Sequence, residues 1–144
     1  MSEVSNRQLV EESFAALNAH DLDRYIRDLD DSYVSDSDAF RSPVFGKEAA
    51  KDLIATYFKA FPDLHFEIEQ IIACGDYVVS RWRSKGVHRG EFNGLPSTNK
   101  PVSLKGCTVS EIRDGRIVKS SIYFDQLLML QQLGVGLDKS ATAA

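Results

Sequence analysis

Apolar residues recur at helical spacing in three stretches of the first half of the chain. Val10, Phe14 and Leu17 lie on one side of the first stretch, and Ser5 opens it as the first residue of a capping box. Asp21 is a favourable N-cap for the second stretch. The predicted helices are about Asn6–Ala19, Leu22–Leu29 and Lys47–Phe61, the last ended by Pro62.

The second half changes to the alternation that is typical of strands. The predicted strands are Leu64–Cys74, Tyr77–His88, one that begins at Val102 and one that follows Asp114-Gly115, with weaker strand character at Tyr33-Val34. Alternation puts Val78, Ser80, Trp82, Ser84, Gly86 and His88 on one face of the long strand. A last helix, from Asp125 to a stop at Gly134, closes the pattern.

Helices gathered before an antiparallel meander predict an α+β fold. We expect a cone-shaped, strongly curved, mostly antiparallel sheet with the N-terminal helices packed on its concave face. The 144 residues contain no repeat and no linker, which predicts one domain over residues 1–144 with frayed ends at 1–4 and 139–144. The interior of such a cone is a natural small-molecule site.

Composition narrows the class of partner. The formal net charge is -4, so nucleic acid and anionic membranes are not expected partners. The polar, acidic start is unlike a signal peptide, and no transmembrane run is present, which predicts a cytoplasmic protein. Cys74 and Cys107 lie in strand-like runs and are interpreted as reduced thiols of the core.

Asp125 stands where the last strand becomes the last helix. In a hairpin closed by Asp114-Gly115, regular pairing puts Thr108 opposite Ser121 and Leu104 opposite Asp125. The same count puts Ile112 opposite Ile117 and Gly106 opposite Tyr123. One face of the hairpin would then be mostly apolar or hydroxyl-lined and would carry Leu104, Thr108, Ile112, Ile117, Ser121, Tyr123 and Asp125. A carboxylate at the inner end of such a surface lacks the water that stabilises its charge, which is the state required of a general acid or base near neutral pH. Asp is also a favoured N-cap, so a purely structural role for Asp125 stays open.

Several other chemistries have no sequence support. The chain has no dinucleotide fingerprint, P-loop, nucleophile elbow or zinc-protease motif. His20, His65 and His88 lie in unrelated elements, so no metal site is predicted. Two possibilities remain. One is acid and base chemistry by a carboxylate in a pocket, without a cofactor, and the other is ligand binding without chemistry.

Three segments carry a family resemblance: GVHRGEFNGLPSTNKPVSLKG, IRDGRIV and YFDQLLMLQQLG. Together with Gly46–Ala49 and Ala60–Asp63, they resemble the SnoaL-like polyketide cyclase (ester cyclase) group of the nuclear transport factor 2-like superfamily, over about residues 9–135. The resemblance implies a homodimer or homotetramer packed through the outer face of the sheet. It also implies that a carboxylate at the position of Asp125 removes a proton from a polyketide ester during intramolecular aldol cyclisation, without a cofactor.

The sequence departs from the family near the implied site. Many members carry His and Trp where this chain has Ser120 and Ser121, and the preceding strand lacks the histidine that the cyclases place there. These departures weigh against aldol cyclisation more than against the fold. His88 falls in a run that matches the family's Gly-Thr-His-like segment, and we take it as a second candidate catalytic residue.

The resulting hypothesis is a cofactor-independent cyclase or isomerase for a hydrophobic, polyketide-like carbonyl compound. Asp125 would be general base and then acid, while hydroxyls orient an enolate oxygen. The predicted substrate-binding residues are Tyr57, Phe58, Trp82, Thr108, Ser121 and Tyr123. The alternatives are an epoxide hydrolase-like enzyme, disfavoured because Arg81 and Arg83 face away from Trp82, and a non-catalytic small-molecule-binding dimerisation module.

Overall fold

The computed structural model describes residues 2–40 and 42–135, so the predicted frayed tail, 139–144, lies outside the described residues. In chain order the elements are α1 (Glu3–Asn18), α2 (Leu22–Arg27), β1 (Leu29–Asp36), β2 (Val44–Phe45), α3 (Lys47–Ala60), β3 (His65–Cys74), β4 (Tyr77–Val87), β5 (Pro101–Arg113), β6 (Arg116–Phe124) and α4 (Gln126–Gln132). No helix among these residues is both long and apolar enough to span a membrane.

The strands form one sheet in the order β2-β1-β6-β5-β4-β3. Neighbouring strands run antiparallel, except that β1 runs parallel to β6. The predicted α+β class with a curved, mostly antiparallel sheet is therefore confirmed. The weak strand character at Tyr33-Val34 belongs to β1, which places the N-terminal half of the chain against the last strand.

Helix ends follow local capping chemistry. α1 begins three residues earlier than predicted, because the Ser2 side chain, rather than that of Ser5, accepts a hydrogen bond from a first-turn amide. Asp21 caps α2 as predicted by accepting from the Arg24 amide at 3.1 Å. Gly46 precedes α3 with φ of 89°, a backbone conformation that L side chains rarely adopt.

Residues of β4 separate into two faces as predicted. Val78, Ser80, Trp82, Ser84 and Gly86 are all buried, and His88 just beyond the strand is buried as well. They lie on the inner face of the sheet, against which α1 and α3 pack. The main hydrophobic core forms between these layers and includes Phe14, Tyr33 and Trp82.

The β5–β6 hairpin contains an irregularity that the sequence did not reveal. Ile112 pairs with Ile117 as predicted, but Glu111 pairs with Lys119, so Val118 is an extra residue in β6. Beyond this bulge Thr108 pairs with Ile122, and Gly106 pairs with Phe124, instead of the predicted Ser121 and Tyr123. Because side chains alternate along a strand, this shift of one residue exchanges the faces of β6.

The two cysteines are not core residues. Cys74 is exposed at the end of β3, and Cys107 is only half-buried. The prediction of two core thiols is wrong, because each side chain falls on the solvent side of its strand alternation. Both thiols are free.

Candidate functional site

A cavity of about 170 Å³ lies between the inner face of the sheet and the helices. An apolar cavity of about 150 Å³ in another protein takes up benzene, so a small organic ring fits a space of this order. Aromatic side chains form much of the wall: Phe14, Tyr25, Tyr33, Phe40, Tyr57, Phe58, Phe61, Phe66, Trp82 and Phe124. The described lining residues include no carboxylate and no histidine.

Four predicted substrate-binding residues line this cavity: Tyr57, Phe58, Trp82 and Thr108. Trp82 lies flat on the sheet because Gly106 opposite it has no side chain, and a Cβ there would come within 2.2 Å of the indole ring. The indole Nε1 of Trp82 donates a hydrogen bond to the Thr108 hydroxyl at 2.9 Å. Position and orientation of this ring therefore depend on one glycine and one threonine.

Serine hydroxyls form a row across three neighbouring strands. Ser35 of β1 pairs with Ser120 of β6, and Ser120 pairs with Ser110 of β5. All three are buried, and all three line the cavity. This row provides hydrogen-bonding groups to a wall that is mostly apolar and whose other polar residues include Ser13, Ser84, Lys85 and Thr108.

Two tyrosines extend this polar region. Burial raises the pKa of Tyr25 well above its ordinary 10.0, and the nearby Tyr33 raises it further. Burial also raises the pKa of Tyr33, while polar contacts from Ser120, Ser35 and Tyr25 partly oppose that rise. Both phenols are therefore neutral hydrogen-bond donors at ordinary pH. We refer to Tyr25, Tyr33, Ser35 and Ser120 as the hydroxyl cluster.

Asp125 does not line this cavity, so its predicted position at the inner end of the hairpin is wrong. The carboxylate is exposed and caps α4, accepting from the Leu128 amide at 2.9 Å. It borders a shallow depression on the outer face of the sheet, beside Arg81 and Lys105. The bulge at Val118 is the physical reason. Its extra residue reverses which positions after it face the interior and which face solvent. An exposed acid is not the desolvated base that the hypothesis required.

The same shift displaces two predicted substrate-binding residues. Tyr123 is 60% exposed on the outer face, and Ser121 pairs with Val109 and does not line the cavity. Their neighbours Ser120, Ile122 and Phe124 line it instead. Ser121 and Tyr123 were therefore predicted on the wrong face of β6, because the register differs from the predicted one by one residue.

His88 is fully buried but lies outside the cavity lining. Its Nδ1 accepts from the Thr98 amide at 3.2 Å, so the proton of the neutral ring is on Nε2, which has no hydrogen-bond partner among the described residues. Its backbone bonds Lys100 and Asn99, and its ring packs on Phe61. These contacts hold the loop between β4 and β5, so the geometry gives His88 a structural role.

Sequence reasoning missed the hydroxyl cluster and the neighbouring Ser110. Tyr25 fitted the apolar stripe of a short helix and was therefore interpreted as a core residue. Ser35 lies directly after the weak strand signal at Tyr33-Val34, which gave no indication of its face. Ser110 shares the strand parity of Thr108 and Ile112, which were assigned to the inner face, so that parity could have identified it. Ser120 was assigned to the wrong face by the unrecognised bulge.

No group of three or more His, Cys, Asp or Glu side chains in residues 2–40 and 42–135 is arranged to hold a metal ion. The acidic residues of this region are dispersed over the surface, several of them in ion pairs such as Asp23–Lys51 at 2.6 Å.

Solved structures with the same architecture include three bacterial proteins. AclR from Streptomyces galilaeus, a candidate hydroxylase, is 29% identical, with a TM-score of 0.83 and coverage of 92% of this chain and 98% of that one. IdmH from Streptomyces antibioticus, a candidate polyketide cyclase, is 28% identical, with a TM-score of 0.78 and coverage of 90% and 99%. A candidate SnoaL-like polyketide cyclase from Jannaschia shares the fold at 24% identity and a TM-score of 0.85, with coverage of 92% and 94%.

No curated protein matches the chain. The family model for the SnoaL-like polyketide cyclases matches residues 7–133, which is most of the sequence and contains every residue of the cavity wall described above. The chain therefore belongs to the SnoaL-like polyketide cyclase family.

Proposed function

We propose that this protein binds a small, hydrophobic carbonyl compound in the interior cavity and promotes its enolisation, the step shared by cofactor-independent cyclases and isomerases. The observation that carries the proposal is a mostly apolar cavity whose wall includes the buried hydroxyl cluster. A carbonyl oxygen is the group that such donors bind, while the apolar wall accepts the hydrocarbon part of the ligand.

Hydrogen-bond donors fixed in an apolar site stabilise negative charge more strongly than water does, because they need no reorganisation. When a proton leaves the carbon next to a carbonyl, the charge moves to oxygen, where the hydroxyl cluster would act. The described lining residues supply neither carboxylate nor imidazole for the proton itself, and the only amine among them is that of the exposed Lys85. A small external base such as formate is therefore expected to accelerate the reaction in the presence of the protein.

Binding is tested with 2-acetyl-6-(dimethylamino)naphthalene, a ketone whose fluorescence shifts to the blue in apolar surroundings. We expect saturable binding that Ile54→Trp weakens, because Ile54 lines the cavity and the larger ring fills it. Leu128→Trp is the matched control, since Leu128 is 38% exposed on α4 and does not line the cavity. Equal affinity in both variants would contradict the assigned site.

Enolisation is tested by proton nuclear magnetic resonance of acetophenone in heavy water. The expected result is protein-dependent loss of the methyl signal as deuterium replaces hydrogen, at a rate that rises with formate concentration. Asp125→Asn is included because a catalytic role for Asp125 stays a prediction. An unchanged rate in that variant would exclude Asp125 as the base.

A non-catalytic ligand-binding protein is the second candidate. The absence of a carboxylate and of a histidine from the described lining residues favours it. Saturable binding of the fluorescent ketone together with no deuterium incorporation, even at high formate concentration, would establish this function instead. The epoxide hydrolase alternative has no comparable support, because Arg81 borders the outer depression and no acid lies among the described residues of the cavity wall.

A further inference from the structure

We infer that the ligand is slender and elongated, and that it lies along β5 with its carbonyl group beside Ser110 and Ser120 and its hydrocarbon part directed past Trp82. The inference rests on the proposed function, because it gives the shape and the orientation of the ligand of the same cavity. It makes Trp82 the residue that limits the width of that ligand.

The cavity is long compared with its volume. On β5 its lining extends from Val102 to Ser110, which is about 26 Å along a strand with a rise of about 3.3 Å per residue. The lining also includes members of both hydrophobic clusters of the core, Trp82 in the first and Leu104 and Met129 in the second. A volume of about 170 Å³ spread over this length is a narrow passage rather than a rounded space.

Three serines lie at one level of the sheet near one end of this passage. Ser35 pairs with Ser120, and Ser120 pairs with Ser110. Each of the three is at most 6% exposed, so a carbonyl oxygen at this level meets hydroxyl groups away from bulk water. Hydrogen bonds formed there gain from the low local dielectric.

The strands provide fewer hydrogen-bonding groups toward the opposite end. From the serine level, the inner face of β5 continues with Thr108, Gly106, Leu104 and Val102. The Thr108 hydroxyl already accepts a hydrogen bond from the Trp82 indole, and Ser84 supplies the remaining strand hydroxyl of the described lining. Alternation along β4 places the Lys85 side chain on the outer face. The hydrocarbon part of a ligand is therefore expected at this end.

Trp82 narrows the passage about halfway along β5. Trp82 pairs with Gly106, and Gly106 pairs with Phe124, so these three positions form one level of the sheet. The indole ring covers Gly106 and contacts both the Thr108 hydroxyl and the edge of Phe66, the latter with ring centroids 5.4 Å apart. Trp82 and Phe124 both line the cavity, so a linear or flat group passes this level more readily than a globular one.

Ligand shape is tested with two methyl ketones of equal carbon number, the linear dodecan-2-one and the globular 1-adamantyl methyl ketone. Each displaces the fluorescent ketone from the full chain, and each affinity is divided by the partition coefficient of that ketone between water and hexadecane. We expect the linear ketone to bind about ten-fold more tightly on this scale, because the globular group overpacks the level of Trp82. Equal corrected affinities would overturn the inference.

Trp82→Phe tests the residue that limits the width. The smaller ring should reduce the difference between the two ketones, whereas Tyr77→Phe, at an exposed residue of the same strand outside the cavity lining, should leave it unchanged. A difference that is equal in Trp82→Phe and in the wild type would exclude Trp82 as that residue.

Orientation is tested by nuclear magnetic resonance of the wild type with ¹³C-labelled isoleucine and leucine methyl groups. Ile117 lines the cavity three residues before Ser120, and Leu104 lines it on the far side of the Trp82 level. We expect nuclear Overhauser effects from the acetyl methyl group of dodecan-2-one to Ile117 and from its terminal methyl group to Leu104. Any other pattern would overturn the inference while leaving the proposed function intact. Failure of both methyl ketones and of the fluorescent ketone to bind the wild type would instead overturn the proposed function.

Discussion

The two faces of β6 differ sharply beyond Val118. The inner face carries Ser120, Ile122 and Phe124, which line the cavity. The outer face carries Tyr123 and leads to Asp125, both exposed beside the charged side chains of β4 and β5. These residues are immediate neighbours in the sequence, yet only one set can touch a ligand in the interior.

The difference shows that the bulge, rather than residue type, decides which side chains serve the cavity. An acid at the end of a strand is suggestive of catalysis, but its register places it in solvent. The less conspicuous serines one position away line the cavity in its place. Predictions that exchange or disturb these faces test the comparison directly.

The largest effect is expected where the inner face is most crowded. Gly106→Val would force a side chain into the Trp82 ring, because even a Cβ would lie within 2.2 Å of it. We expect the free energy of unfolding to fall by about 3 kcal/mol or more, as for severe overpacking of a core. Lys105→Val, next in the chain but exposed, is the control, and urea denaturation measures both.

Neighbouring aromatic residues on opposite faces should respond very differently to truncation. Phe124 packs against both hydrophobic clusters, so Phe124→Ala is expected to cost about 3 kcal/mol. Tyr123→Ala should cost less than about 0.5 kcal/mol in the monomer, since Tyr123 is 60% exposed. A larger cost for Tyr123 than for Phe124 would show that the register beyond the bulge is wrong.

His88 offers a test of a buried polar contact on the inner face of the sheet. His88→Phe keeps a ring beside Phe61 but leaves the Thr98 amide without its acceptor, which should cost about 2 kcal/mol. His88→Asn places an oxygen near the position of Nδ1 and should recover part of that loss. Equal stability of the wild type and His88→Phe, measured by thermal unfolding, would exclude the anchoring role.

The buried tyrosines should make the free energy of unfolding depend on pH in alkaline solution. Because the pKa values of Tyr25 and Tyr33 are raised by folding, the unfolded chain loses these protons first as the pH rises above 10.0. The contribution of these two tyrosines to the free energy of unfolding is therefore complete below that pH. Above it, the free energy of unfolding decreases by about 1 kcal/mol per pH unit for each group. Urea midpoints across this range should depend less on pH in Tyr25→Phe than in the wild type, and an equal dependence would contradict the raised pKa of Tyr25.

The smallest effect is expected at the capping acid on the outer side. Asp125→Ala should lower stability by about 1 kcal/mol, because the Leu128 amide loses its acceptor. Asp125→Asn should cost only a few tenths of that amount, since Asn caps helices about as well as Asp. Circular dichroism during thermal unfolding compares the two, and equal losses would mean that capping is not what Asp125 contributes to the fold.

Much of the architecture could be predicted from local patterns. The three helices, the Asp114-Gly115 turn and the two faces of β4 followed from periodicity and turn chemistry, which act between residues close in sequence. Trp82 and Thr108 were placed correctly in the cavity because the extra residue lies in β6, so that alternation along β4 and β5 is uninterrupted. The predicted site was wrong in β6, because the prediction assumed regular pairing and did not include the bulge at Val118.

The sequence by itself determined the order of elements, the curved α+β fold and an apolar interior, because each depends on hydrophobic spacing that is visible in short windows. Only the tertiary structure decided which β6 side chains face that interior, since one extra residue leaves local propensity unchanged but reverses every later position. It also brought Tyr25, Tyr33, Ser35 and Ser120 together from α2, β1 and β6. Their proximity depends on the parallel pairing of β1 with β6 over a long chain separation, which no local pattern encodes.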